Sequence, residues 1–299
     1  MDREDAEEGS APKRHKRSHH RHHHGGSDPE DAPGAEGRAG AASLAPGEAG
    51  EGAIALDEGA AAADAGRALA PAPLLKKFGS DVGLKLTAVR MYSKQLFIAL
   101  KHLKSCNVLH CDIKPDNVLV NEAKTKLKLC DFGSAMSAGM NEITPYLVSR
   151  FYRAPEIILG LPYDHPLDMW SVGCSLFELY SGKVLFPGKT NNDMLPLHME
   201  SKGTLPKKML RKGTFAKEHF DQDFNYFDEK DPVTKMTVKK HPVMNIKRQD
   251  LSSFVSSFPG EDPKMLSNFN DLLKRILVLD PEKRLKVEQA LSHSFVSGE

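Results

Sequence analysis

Large apolar residues are almost absent from the first quarter of the chain and recur at regular spacing afterwards. Between Gly25 and Pro73 the only large aliphatics are Leu44, Ile54, Leu56 and Leu69, and there are no aromatics. Ala, Gly, Pro, Asp and Glu fill the rest. That composition buries too little apolar area to offset the entropy of ordering, so residues 1–73 are expected to be a disordered, low-complexity tail. The stretch from Ala60 to Ala72 has the propensity for a transient helix but no apolar face.

From Leu74 the pattern predicts an ordered domain, residues 74–299. Val89, Tyr92, Leu96, Ala99, Leu100 and Leu103 recur every three to four positions, the period of an amphipathic helix. Thr87 is the candidate N-cap and Asn107 the expected end. Val118–Val120 and Leu127–Cys130 read as two short strands around the polar turn 121–126. From Asp168 to Tyr180 the chain is apolar on nearly every face, which predicts a buried helix at the centre of the core, stopped by Gly182. Residues 187–262, rich in Lys, Asp, Pro and Asn, read as loops and short helices. Pro263 to Leu279 regains helical spacing, and a last helix is expected from Val287 to Phe295. The fold class that follows is mainly α with short β hairpins.

Charge divides the chain at the same place. Residues 1–73 carry 8 Lys/Arg against 14 Asp/Glu, whereas residues 74–299 carry 33 against 26. A mildly basic domain suits a surface that handles phosphate. Within the tail, Lys13 to His24 is a basic, histidine-rich run. It reads as a nuclear-import or RNA-contacting patch, as an adventitious metal binder, or as a solvated charge run without a role. The four cysteines form no C-x-x-C pair, which argues against zinc or a disulfide framework and for reduced thiols in the cytosol or nucleus. No apolar run reaches the length of a membrane span, and the acidic N-terminus is no secretory signal.

Three short motifs carry the chemistry. His110-Cys111-Asp112-Ile113-Lys114-Pro115-Asp116-Asn117 comes first; Asp131-Phe132-Gly133 starts 14 positions after Asn117; Ala154-Pro155-Glu156 starts 21 positions after Gly133. Singly, Asp112 could cap a turn and Asp131 could end a strand in an Asx-turn. In this order and spacing they resemble the catalytic loop, the metal-binding loop and the end of the activation segment of a protein kinase. The block Thr144 to Glu156 resembles the CMGC group of serine/threonine kinases. Tyr146-Leu147-Val148-Ser149-Arg150 and Phe186-Pro187-Gly188-Lys189-Thr190-Asn191-Asn192 resemble its PRP4 family of pre-mRNA-processing kinases.

The resemblance implies the large, C-terminal lobe of the kinase fold, with a CMGC insert at about 187–262. It implies ATP and Mg2+ as cofactors. Asp112 would be the catalytic base and Lys114 the cation beside the transferring phosphoryl, with Asn117 and Asp131 holding magnesium and nucleotide. Asp168 would brace the catalytic-loop backbone, and Glu156 with Arg284 would form a structural ion pair. Tyr146 would be the regulatory phosphorylation site, with Arg150 and Arg153 as partners of its phosphate. Substrates would be spliceosomal proteins, in the nucleus, without direct nucleic-acid binding. Cys111 stands where the common loop has an arginine, so control would depend less on a phosphorylated activation segment. Upstream of His110 there is neither a G-x-G-x-x-G-x-V loop nor a V-A-I-K lysine. The chain is therefore expected to lack the ATP-binding small lobe, and the competing reading is an inactive lobe that acts as a docking or scaffold module.

Overall fold

The computed structural model describes residues 72–74, 83–139, 142–227, 240–241, 249–255 and 259–298. All belong to one compact unit, 59–299. The expectations for the tail up to residue 71, including the basic run and the alanine-rich stretch, lie outside the described residues.

Chain order begins with β1 (Ala72–Pro73) and α1 (Leu86–Ser105), whose buried face is Leu86, Val89, Tyr92, Leu96, Phe97, Leu100 and Leu103. The predicted period is right, but the cap is not. Lys85 occupies the N-cap position without a side-chain bond, and the Leu86 N–H is satisfied instead by the Glu261 carboxylate, 2.9 Å away and 175 positions on. At the other end Asn107 turns the chain with φ of 56° into β2 (Val108–Leu109).

Two strands, β3 (Val118–Val120) and β4 (Leu127–Leu129), form the expected hairpin, with Val118 opposite Leu129 and Val120 opposite Leu127. Its turn is closed by the Asn121 side chain, which accepts from the N–H groups of Thr125 and Lys126, each at 2.9 Å. α1 holds the hairpin in place: Tyr92 donates to the Lys124 carbonyl and Gln95 accepts from the Leu127 N–H. The free edge of β3 pairs with β1, two residues inside the tail expected to be disordered. Proline is tolerated there because the strand is an edge strand. β5 (Met136–Ser137) pairs with β2.

After α2 (Pro155–Leu159), α3 (Pro166–Ser181) runs through the core with all but two of its sixteen residues buried, and ends at Gly182 with φ of 73°. Its Gly173 allows a close crossing, since a Cβ there would lie 2.7 Å from Ile276 Cγ2. The insert region contains α4 (Asn191–Lys202), α5 (Lys207–Lys212), a hairpin of β6 (Tyr226–Phe227) and β7 (Lys240–His241), and α6 (Leu251–Phe254). Pro196 lies inside α4 and has no N–H for the Asn192 carbonyl; the Tyr226 hydroxyl donates to that oxygen at 2.9 Å.

α7 (Pro263–Ile276) packs on α3 through Phe269, whose ring meets Tyr180 at 5.3 Å and Phe295 at 5.0 Å. The single last helix expected from Val287 is two pieces, α8 (Val287–Leu291) and α9 (Ser294–Ser297). His293 breaks it: its Nδ1 accepts from the Phe295 N–H and its Nε2 lies 2.9 Å from the Asp271 carboxylate, so the ring caps the second piece. Among the described residues no helix is long and apolar enough to cross a membrane.

Candidate active site

The segment 110–117 connects β2 to β3, and its course is fixed from below by Asp168, in the first turn of α3. One carboxylate oxygen accepts the His110 N–H at 2.8 Å and the other the Cys111 N–H at 3.0 Å. Cys111 is thereby held at φ of 63°, a conformation that costs a non-glycine residue about 1 kcal/mol or more. Burial pushes the Asp168 carboxyl up to about 6, against the pull of those two N–H groups. The Cys111 thiol is pushed up to about 12 by burial and by the Asp168 and Asp112 carboxylates, so it is a buried packing group and no nucleophile.

The turn delivers Asp112, Lys114 and Asn117 to one point. Lys114 Nζ lies 2.8 Å from Asp112 Oδ2 and 2.9 Å from Ser149 Oγ. The Ser149 N–H donates to Asp112 Oδ1 at 3.1 Å, and Asn117 Nδ2 donates to both the Asp112 carbonyl and its Oδ2. Burial alone would raise the Asp112 carboxyl. The Lys114 ammonium and the Ser149 hydroxyl and N–H outweigh it and hold the group below its ordinary range. The carboxylate is ionised at neutral pH, fixed by several donors, and partly open to solvent. Ser149 is a member of this cluster to which the motifs assign no role; its only signal is its place in the stretch 146–150.

Asp131 arrives at the end of β4. The Cys130 N–H donates to the Asn117 carbonyl at 2.9 Å, and the Cys130 carbonyl lies 3.1 Å from His110 Nε2. Because His110 Nδ1 accepts from the Asp112 N–H, Nε2 carries the ring proton, and burial keeps the imidazole neutral. These two bonds clip the second motif to the first. Asp131 itself is exposed, at φ of 60°, and accepts the Gly133 N–H. Phe132 lies against His110 with ring centroids 4.7 Å apart and is 47% exposed.

The donor set suits a hard cation. Both hydrogens of the Asn117 amide nitrogen go to Asp112, which leaves its oxygen, together with the Asp131 carboxylate, as oxygen ligands. Magnesium is usually held by so few protein groups, the rest coming from phosphates and water.

The activation segment is fastened by side chains of two kinds. Glu156 and Arg284 form a fully buried bidentate pair at 2.6 and 2.9 Å, and Arg284 also donates to the Pro166 and Val278 carbonyls. The buried Tyr152 hydroxyl donates to Glu178 at 2.6 Å and is pushed far up by burial and by that carboxylate. Tyr146, by contrast, is 76% exposed. Of the two arginines paired with it in the sequence reading, Arg150 is exposed and Arg153 is buried. The Arg153 guanidinium donates to the carbonyls of Tyr146, Leu147 and Val148 and to Asn191. It clamps the backbone, including Val148 at φ of 71°, while Arg150 faces solvent.

A family model described as the protein kinase domain matches residues 71–296. The serine/threonine-protein kinase prp4 of Schizosaccharomyces pombe is 53% identical over 226 residues, 74% of this chain and 47% of that protein. The serine/threonine-protein kinase prpf4B of Dictyostelium discoideum is 51% identical over 228 residues, 75% of this chain and 28% of that protein. A third, ppk5 of S. pombe, is 38% identical over 218 residues. The chain thus spans less than half the length of these relatives.

Proposed function

The chain belongs to the protein kinase family, and on that premise we propose that it carries the catalytic half of a PRP4-type serine/threonine kinase, which transfers the γ-phosphoryl of ATP to protein hydroxyls. The observation that carries this reading is the Asp112 carboxylate, held ionised between Lys114 and Ser149. In that role Asp112 orients the acceptor hydroxyl and takes its proton, while Lys114 balances charge on the transferring phosphoryl. Asn117 and Asp131 would hold magnesium, which supplies neutralisation of the phosphate oxygens when bound. Asp168 and the Glu156–Arg284 pair keep the two loops in register and touch no reactant.

In this reading the acceptors are splicing-related proteins and the site of action is the nucleus. The support is the resemblance of 146–150 and 186–192 to the PRP4 family, and the basic run 13–24. The absence of a glycine-rich loop and of a V-A-I-K lysine in residues 1–73 supports a further point: this chain by itself lacks the roof of the nucleotide site. It also favours a second reading, in which the lobe acts as a docking module. Calorimetric titration with Mg·ATP separates the two. The chain alone is expected to show no micromolar affinity, whereas a longer form that includes a glycine-rich loop should bind Mg·ATP and phosphorylate serine or threonine. Asp112→Ala in that longer form should abolish transfer. Retained turnover in the variant would remove the role assigned to Asp112.

A further inference from the structure

One short stretch far in sequence from the transfer site is dense in basic residues. Lys207, Lys208, Arg211, Lys212 and Lys217 fall within eleven positions, and all five are exposed. α5 is amphipathic: Met209 and Leu210 are buried while its four basic residues face outward. Lys208 is neutralised by Glu282 at 2.7 Å. Arg211 forms no ion pair among the described residues; its guanidinium sits 5.7 Å from the centroid of the Phe224 ring.

Beside this stretch lies a cleft of about 440 Å³. Leu210, Phe220, Phe224 and Phe227 give it an apolar floor, and Arg211 and Lys217 stand on its rim. Phe224 is built into the cleft at a cost. Its backbone is at φ of 62°, in the left-handed region that aromatic residues avoid, and a turn around Asp221 holds it there. The Asp221 carboxylate, the acid of the cleft lining, accepts the N–H groups of Asp223 and Asn225 at 3.0 and 2.8 Å, and the Phe224 N–H goes to the Asp221 carbonyl. Strain of this kind persists where the surroundings over-determine a conformation, commonly at ligand clamps. Here it keeps a half-buried aromatic ring beneath an arginine at the mouth of an apolar cleft.

The cleft is joined to the activation segment through two adjacent residues at the start of α4. Asn192 donates to the Phe227 carbonyl at 3.1 Å and accepts from His219 Nδ1 at 2.8 Å. Asn191 donates to the Pro145 carbonyl at 3.0 Å and accepts from Arg153. One wall of the cleft and the loop that faces the Asp112 site are therefore fastened to the same turn.

We propose that this cleft docks a carboxylate-rich segment of a partner protein that inserts one aromatic or large aliphatic side chain between Leu210 and Phe224. The apolar floor accepts the anchor and the cationic rim accepts the flanking carboxylates, so the charge complementarity selects an acidic protein segment. The docking itself does not depend on the transfer chemistry. If that chemistry holds, the surface captures the protein whose hydroxyl is then presented at Asp112.

The test is fluorescence anisotropy of the whole chain with a labelled twelve-residue peptide of Asp and Glu around one central Phe. Saturable binding is expected, and it should weaken as salt is raised. Arg211→Glu should weaken it by about tenfold or more, since it places a like charge on the rim. Lys128→Glu, an exposed change on β4, should leave it unaltered and serves as the control for fold and net charge. Replacing the central Phe of the peptide by Ser should also weaken binding. The proposal is overturned by absent saturation, by equal affinity in Arg211→Glu, by indifference to the Phe-to-Ser change, or by a single-stranded oligonucleotide of equal charge that binds as tightly as the peptide.

Discussion

His198 offers the sharpest test of how this core is built. The residue lies on α4 with no exposed surface, its ring wedged edge-on against Trp170 at 4.9 Å and Phe186 at 4.6 Å. Neither ring nitrogen has a hydrogen-bond partner. The nearby charge is Arg284, itself paired with Glu156, and no carboxylate opposes it at the imidazole. Burial first, and the Arg284 charge second, lower the His198 pKa from 6.5 to about 3. The folded state therefore refuses a proton that the unfolded chain accepts below pH 6.5. Stability is complete above that value and declines as pH falls towards 3. At pH 5 the unfolded state has gained about 1.5 pKa units of protonation free energy, or about 2 kcal/mol. His198→Leu removes both this linkage and two unsatisfied polar atoms, which cost about 1–3 kcal/mol when buried. A shape mismatch of about 1 kcal/mol opposes that gain. The variant should therefore equal or exceed the parent at pH 8 and exceed it by about 2 kcal/mol more at pH 5. Urea unfolding at the two pH values measures both quantities. A stability difference that is the same at pH 5 and pH 8 would refute the account of a neutral, unpartnered imidazole.

Three further outcomes follow from particular contacts. Arg284→Met leaves the Glu156 carboxylate buried and unpaired and should cost about 3–5 kcal/mol, most of it recovered when Glu156→Leu is added; a double-mutant cycle in urea tests this, and additive losses would contradict it. Tyr152→Phe removes the hydroxyl that holds Glu178 and should cost about 1–3 kcal/mol, whereas Tyr146→Phe, at an exposed ring, should leave the melting temperature unchanged. Lys114→Met removes the ammonium that opposes burial at Asp112, so the carboxyl should titrate upward, as followed by carbon NMR of labelled aspartate; the stability that Asp112 contributes through its lowered pKa is lost as pH falls through the aspartate range.

Where local pattern and folded structure differ, a contact from a distant segment is the cause. Thr87 was a sound local candidate for a helix cap, yet the Leu86 N–H is met by Glu261, which no window around residue 87 contains. The continuous helix expected over 287–295 has good spacing, yet it breaks at His293 because the ring finds Asp271 on α7. β1 has no strand signal of its own and exists because the edge of β3 offers it partners. Ser149 and the pair Asn191–Asn192 lie inside stretches that were singled out, but nothing in the one-dimensional pattern connects them to Asp112, to Arg153 or to the cleft.

Burial periodicity alone makes four elements legible along the chain: α1, the β3–β4 hairpin, the amphipathic α7 and the all-round apolar α3. The order and spacing of three motifs also singled out the candidates for the chemistry, because short catalytic loops need particular side chains a few positions apart. How those side chains are held depends on contacts between segments distant in sequence. Asp168 as a brace and Glu156 with Arg284 as a pair were legible through the family resemblance, but the meeting of Ser149 with Asp112 across 37 positions, of Glu261 with the Leu86 N–H across 175, and of Arg153 with Asn191 and three carbonyls was not. The physical reason is that hydrophobic burial is nearly additive along the chain and leaves a periodic trace. A hydrogen bond or buried ion pair depends on the meeting of two specific groups, and their separation in sequence carries no record of it.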